Sequence, residues 1–236
     1  MKFYKELCNY YDVIFPTSKP TVNFLSKNLK ENSKILDIAC GTGGYSIALA
    51  KLNNKVDGID LSDSMIKLAQ KKESDVSFKS LDMLKIDEEY ENNNYDLIYC
   101  VGNSLVHLPT LKDVENAISK SADLLKPGGE FVVQIINYDR IINNKIKGLP
   151  TIERTDENVT LIRDYLIKDD MVFFNTELIT PENKSFKNSV PLLPLKKNII
   201  EDFLKDKFHN IVFYGGFNEV LWNEDSFATI VRAVKN

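Results

Sequence analysis

The chain has 236 residues, 43% of them hydrophobic, enough for one α/β domain with room for an insertion. A net charge of −4 and an isoelectric point near 5.4 argue against nucleic acid as the main partner, which calls for a basic face. Three scattered cysteines (Cys8, Cys40, Cys100) and two histidines (His107, His209) make neither a disulfide framework nor a metal centre.

Phe3, Leu7, Tyr10, Tyr11 and Ile14 recur at helical spacing, and Pro16 ends the run. A second short helix is predicted near Pro20, carrying Val22, Phe24, Leu25 and Leu29. Ile35, Leu36 and Ile38 read as a buried strand, and Gly41, Thr42, Gly43 and Gly44 as a turn where backbone can approach a ligand. Tyr45 to Leu52 continue as a helix, so strand, turn and helix start form a cradle for a small polar ligand. A second strand, Val56 to Asp60, ends in an acid suited to gripping the two hydroxyls of a ribose.

Ser62 is a helix N-cap, with Asp63 in the first turn and Met65, Ile66, Leu68 and Ala69 on the apolar side. A third strand, Val76 to Phe78, leads to Asp82 and Met83, and Glu88 to Asn94 is a polar loop. Tyr95 to Val101 is a fourth buried strand running into Gly102-Asn103-Ser104 and His107-Leu108-Pro109. Val114 to Leu125 mark a helix stopped by Lys126-Pro127-Gly128-Gly129, and a fifth strand, Phe131 to Ile136, leads to Asn137-Tyr138-Asp139-Arg140.

Residues 146–190 depart from the βα alternation. Asn158–Ile167 and Met171–Ile179 are β-rich runs about a hairpin signal at Lys168-Asp169-Asp170. They predict an antiparallel lid that covers the site or serves as an edge or dimer contact, with Arg163 and Tyr165 facing a substrate. A last helix carries Ile199, Ile200, Phe203, Leu204 and Phe208, and strands over Ile211–Tyr214 and Phe227–Val234 close the sheet. Met1 to Glu6 show no signal-peptide h-region and no run of eighteen apolar residues occurs, so a cytoplasmic protein without membrane spans is expected.

A dinucleotide loop would read G-x-G-x-x-G, and the third glycine is missing here. Asp37, four residues before Gly41, gives instead D-x-x-x-G-x-G, which resembles motif I of class I S-adenosylmethionine-dependent methyltransferases. The resemblance covers about residues 34–136. It implies S-adenosylmethionine as cofactor and a Rossmann-like doubly wound α/β sheet of order 3-2-1-4-5-7-6. The core would be 1–145 and 191–236, with an N-terminal helical cap and 146–190 as the lid.

It places the methionine end of the cofactor against Tyr11, Asp37, Gly41, Thr42 and Gly43, beside Cys100 and Gly102. The ribose falls to Asp60, with Leu61 and Met65 adjoining, and the adenine to Asp82 and Met83. Asp82 is otherwise a loop cap, and the tyrosines of the first helix are otherwise packing residues. A nicotinamide oxidoreductase and a nonenzymatic S-adenosylmethionine-binding module are the alternatives.

Gly102-Asn103-Ser104, His107-Leu108-Pro109 and Asn137-Tyr138-Asp139 are similar to motifs of glycine N-methyltransferases and relatives. That narrower resemblance implies a small-molecule acceptor, an amine nitrogen placed ahead of an oxygen, next to Asn103, His107 and Tyr138. His107 is the candidate base, or a hydrogen-bonding residue of its turn. In those enzymes an arginine before Asn-Tyr-Asp binds the substrate carboxylate. Ile136 stands there instead, so glycine itself is not expected to be the acceptor.

Overall fold

The computed structural model describes residues 2–168 and 171–236; Asp169 and Asp170 of the expected hairpin signal lie outside the described residues. Two helices open the chain, α1 (Lys2–Ile14) and α2 (Lys19–Ser26). Alternation then follows: β1 (Lys34–Ile38), α3 (Gly44–Ala50), β2 (Lys55–Asp60), α4 (Asp63–Gln70), β3 (Ser77–Ser80), α5 (Ile86–Glu89) and β4 (Tyr95–Cys100). Next come α6 (Leu111–Leu124), β5 (Leu125–Ile136) and α7 (Tyr138–Asn143). Four strands follow without a helix, β6 (Gly148–Arg154), β7 (Val159–Lys168), β8 (Met171–Ile179) and β9 (Ser185–Leu192), before α8 (Lys197–Leu204), β10 (Phe208–Tyr214) and β11 (Ala228–Lys235).

β1 to β5, β10 and β11 form one seven-stranded sheet of order β3-β2-β1-β4-β5-β11-β10. β1 to β5 run parallel, and β11 is antiparallel to both β5 and β10, so β11 alone is reversed and β10 runs with the first five; the order is the expected 3-2-1-4-5-7-6. Central β1 and β4 are almost wholly buried and mostly apolar, with Asp37 the buried exception on β1, as expected of strands covered on both faces. The carboxyl ends of β1, β2, β4 and β5 therefore open on one side, at the switch point where such sheets bind ligands.

The segment expected as a lid, and called so below, is a separate four-stranded antiparallel sheet, β6-β7-β8-β9, larger than the expected hairpin. β6 carries Pro150 and a register shift, and β9 alternates half-buried residues with exposed polar ones, so neither gives a strong apolar run. Two boundaries also differ. β5 begins at Leu125, through the Pro-Gly-Gly stretch expected only to stop a helix, and Phe208 belongs to β10 rather than to the last helix.

Helix α1 packs on the lid rather than on the large sheet. Phe3, Leu7 and Ile14 are buried with Val159, Leu161 and Leu178 of β7 and β8. Arg154 of β6 donates through Nε to the carbonyl of Val13 (2.8 Å) and through Nη2 to that of Ile14 (2.9 Å). A guanidinium at a helix C-terminus meets both unpaired carbonyls and the negative end of the dipole. Other lid residues, Tyr165, Val172 and Leu192, join the main core.

Candidate active site

The turn after β1 is shaped by backbone. Ala39, Gly41 and Gly43 all take positive φ (61°, 57° and 77°). A Cβ on Gly43 would sit 2.3 Å from Phe78 Cζ, and one on Gly58 of β2 would sit 2.8 Å from the same ring. One aromatic ring on β3 thus demands both glycines, and Gly43 and Gly58 together do the packing work assigned to the absent third glycine. Over the turn lies Tyr11 of α1, whose ring would be 3.2 Å from a Cβ on Gly41. Thr42 donates its hydroxyl to Asp12, and Lys72 of the segment after α4 binds Asp12 at 2.7 Å and the Thr42 carbonyl at 2.8 Å.

Asp37 lies behind the turn and is buried. Its Oδ2 accepts from Tyr99 of β4 (2.7 Å) and from Ser46 of α3, so it braces helix and neighbouring strand. Burial pushes its pKa up to about 7, against the pull of those two hydrogen bonds. Asp60 ends β2 with Oδ2 accepting from Gly41 N–H (2.9 Å) and Oδ1 from Ser62 N–H (2.8 Å). Two backbone donors fix that carboxylate and leave lone pairs on both oxygens. Burial raises its pKa as well, over the lowering effect of both bonds.

Leu61, next to Asp60, is 74% exposed, an apolar surface set beside a carboxylate and open to a flat ring. Across from it, Asp82 caps the 3-10 turn Met83–Lys85 through Leu84 N–H, and Leu81 N–H reaches the Asp60 carbonyl at 3.0 Å. The expected capping role of Asp82 is real, and it also brings Met83 to the Asp60 edge. Met65 is on the buried side of α4, and Cys100 is buried at the end of β4, where burial raises its thiol to about 12. Gly102 has φ +90° with open space around it and donates to Gln134 Oε1 (2.8 Å).

Beyond the cofactor side, Asn103 (φ 66°) accepts from Ile136 N–H (2.9 Å) and donates to the Tyr138 hydroxyl (3.3 Å). The Asn-Tyr-Asp motif divides in roles. Asn137 binds the carbonyls of Glu224 and Ser226, each at 3.0 Å, and caps α7. Asp139 accepts from Lys197 N–H and so fixes the start of α8. Tyr138 alone turns to Asn103, buried and with its phenol pKa raised by burial. Arg140 lies 5.9 Å from the Phe227 ring, away from this group.

His107 sits exposed on the 3-10 turn Leu105–His107, whose Val106 carbonyl accepts from Leu193 N–H just past β9. Its ring makes no side-chain hydrogen bond among the described residues, so the expected structural bond is not seen. Desolvation by its neighbours lowers its pKa. Among the described residues no cluster could hold a metal ion, and no helix is long and apolar enough to cross a membrane. Sequence reasoning passed over Phe78, Lys72, Ser46, Tyr99 and Gln134, which gave no motif because each acts through a partner distant in the chain.

These groups fit S-adenosylmethionine. Asp12, Asp37 and Asp60 surround a turn whose nearest cation, Lys72, is already paired, a setting that favours a sulfonium and an ammonium and disfavours a pyrophosphate. Residues 35–129 match the family model described as a methyltransferase domain. The chain is 27% identical over 209 residues to glycine/sarcosine N-methyltransferase of Aphanothece halophytica, covering 86% of this chain and 77% of that one. It is 33% identical over 124 residues to mouse glycine N-methyltransferase, spanning under half of that relative's length (42%) and 47% of this chain. A solved S-adenosylmethionine-dependent methyltransferase from Clostridium acetobutylicum has the same fold, with TM-score 0.79 at 19% identity and 99% of each chain covered. Fold, turn and sequence converge: residues 35–129 match a methyltransferase domain, and the chain as a whole is similar to S-adenosylmethionine-dependent methyltransferases of class I.

Proposed function

We propose that the protein transfers a methyl group to the amine nitrogen of a small molecule other than glycine, bound between Asn103, Tyr138 and the lid. The observation that carries this reading is the Asn103–Tyr138 pair at the carboxyl end of the large sheet, with Tyr165 of the lid in the same buried cluster. S-adenosylmethionine supplies a methyl group already activated on a sulfonium. The protein's task is then positioning and exclusion of water, and a well-oriented attack can contribute roughly 7–11 kcal/mol.

Asp60 holds the ribose and the Gly41–Gly43 turn the methionine end, with Leu61 and Met83 at the adenine. Asn103 is itself fixed by Ile136 N–H, so its amide can orient a nucleophile without rearrangement. Tyr138, its phenol kept protonated by burial, acts as a hydrogen-bonding wall rather than a base. His107 is the group suited to receive a proton, since its lowered pKa keeps the ring neutral at pH 7. A single unassisted imidazole matches an amine, which sheds its proton more readily than an alcohol. The two curated relatives named above both act on nitrogen by name.

Glycine is set aside because Ile136 is apolar and 8% exposed, and a carboxylate there would lie unpaired. Steady-state assays of S-adenosylhomocysteine release, over a panel of amines and hydroxyl compounds, test the reading. Turnover of less polar amines with negligible turnover of glycine and sarcosine is expected, and efficient glycine methylation would overturn the acceptor assignment. For the cofactor, Asp60→Ala should weaken binding about ten- to a hundredfold by calorimetry, as loss of charged hydrogen bonds implies. Unchanged affinity would remove Asp60 from the ribose.

A further inference from the structure

The core-facing side of the lid carries a polar row inside an apolar surface. On β7, Val159, Leu161 and Tyr165 face inward, with Arg163 between the last two; on β8, Val172, Thr176 and Leu178 do the same. Arg163 and Thr176 are directly opposite in the register, and Tyr165 is the next inward residue on β7. The Tyr165 hydroxyl and Thr176 Oγ1 are buried, in residues 8% and 7% exposed, and neither has a hydrogen-bond partner. Leaving a buried hydroxyl unpaired is costly, and a sheet face with two of them around a cation is a surface made for a polar ligand.

Arg163 differs from the other arginines. Arg232 pairs with Glu130, Arg154 caps α1 and Arg140 lies on Phe227. Arg163 donates through Nε and Nη2 to one carbonyl, that of Pro150, and no carboxylate pairs with it among the described residues. Its Nη1 edge keeps the donors that an oxyanion takes up. Half-burial lowers its pKa, a penalty that a bound anion reverses.

The row also has a direction. Tyr138 and Tyr165 lie in one buried cluster, and Arg163 stands two residues along β7 from Tyr165; the Arg163 charge acts on Tyr165, and the Tyr165 phenol on Tyr138. The order is therefore Asn103, Tyr138, Tyr165, Arg163. Alternate residues on a strand have Cα atoms about 6.5 Å apart, so Arg163 is rooted one such step along β7 from Tyr165. An acceptor whose amine and anion are separated by several bonds suits that offset better than an α-amino acid, whose amine and carboxylate share one carbon.

We propose that the acceptor carries an oxyanion, a carboxylate or a phosphate, several bonds from its nucleophilic nitrogen, and that Arg163 receives it with Thr176 and Tyr165 as flanking hydroxyls. This rests on the reading that an amine is methylated beside Asn103 and Tyr138. Arg163, Thr176 and Tyr165 then select the acceptor, and the chemistry stays with the opposite end of the row.

The test uses four probes on the full chain: 5-aminopentanoate, phosphoethanolamine, pentylamine and glycine. The expected result is that one anionic probe exceeds pentylamine at least tenfold in kcat/KM, mainly through KM, and the better of the two identifies the anion. Arg163→Gln should collapse that preference roughly tenfold to a hundredfold, with S-adenosylhomocysteine affinity by calorimetry reporting an intact fold. Thr176→Val, which keeps the shape of the side chain, should shift the preference the same way if loss of the Pro150 bond unfolds the first variant. Equal turnover of pentylamine and the anionic probes, or an Arg163→Gln effect equal on all of them, overturns the proposal. Glycine as the best probe overturns it too. Calorimetric binding of an anionic probe to the S-adenosylhomocysteine-loaded protein, lost in Arg163→Gln, supports it even if no probe turns over, in which case methyl transfer to an amine is the reading that fails. Absence of both binding and turnover for the anionic probes overturns it.

Discussion

Asp37 shows how one buried carboxylate couples the site to pH. Its folded pKa of about 7 stands above the ordinary 3.8, so the folded state binds the extra proton between those values. Stability from Asp37 is therefore complete below about pH 4 and is lost as pH rises through 7. Asp37→Asn carries no such proton, and its melting temperature relative to the parent should climb across that window. A constant offset from pH 4 to pH 8 would show that Asp37 does not titrate there. Two glycines offer a second contrast. Gly102→Ala meets nothing and should cost only the strain of φ +90°, about 1 kcal/mol. Gly43→Ala adds a 2.3 Å collision with the buried Phe78 ring and should lose several times as much in urea unfolding. Similar losses would mean that the ring moves aside freely.

Among the elements, legibility followed local signal. The Gly41–Gly43 turn, the acid ending β2 and the helix cap at Ser62 were readable because each acts on neighbours a few residues away, and all three stand where expected. β6 and β9 were not readable, since a strand of mixed exposure with a proline in it owes its pairing to partners elsewhere. Nor did the sequence reveal that α1 belongs to the lid, because Arg154 acts across the fold. Residues 146–190 therefore cannot be deleted as a neutral cover while the cofactor cradle stays whole. Removing them would expose Phe3, Leu7 and Ile14 of the helix that seats Tyr11 on Gly41. A gentler change, Arg154→Met, should lower stability by about 1–3 kcal/mol through two lost charged hydrogen bonds. It should also weaken S-adenosylmethionine binding, although Arg154 touches no part of the cofactor site. Calorimetry with unaltered cofactor affinity would show that α1 holds its place without the clamp.

For the whole molecule, the α1–lid pairing joins residues that are far apart in the chain. The Arg154 bonds to Val13 and Ile14 span 141 and 140 residues. A helix of this length is marginal in water on its own and gains most of its stability from its apolar face. Helix α1 thus waits for a sheet made more than a hundred residues later, and closing so long a loop carries a large entropic toll before any contact repays it. The first four strands of the large sheet are under no such delay, because they pair with partners much nearer in sequence. Refolding followed by pulsed hydrogen exchange should find β1, β2 and β4 protected early and α1 amides among the last, in step with β7 and β8. Early protection of α1 would uncouple it from the lid. Until that late step the Gly41 turn stands without Tyr11 over it, so the cover of that turn arrives together with the lid face that carries Tyr165 and Arg163.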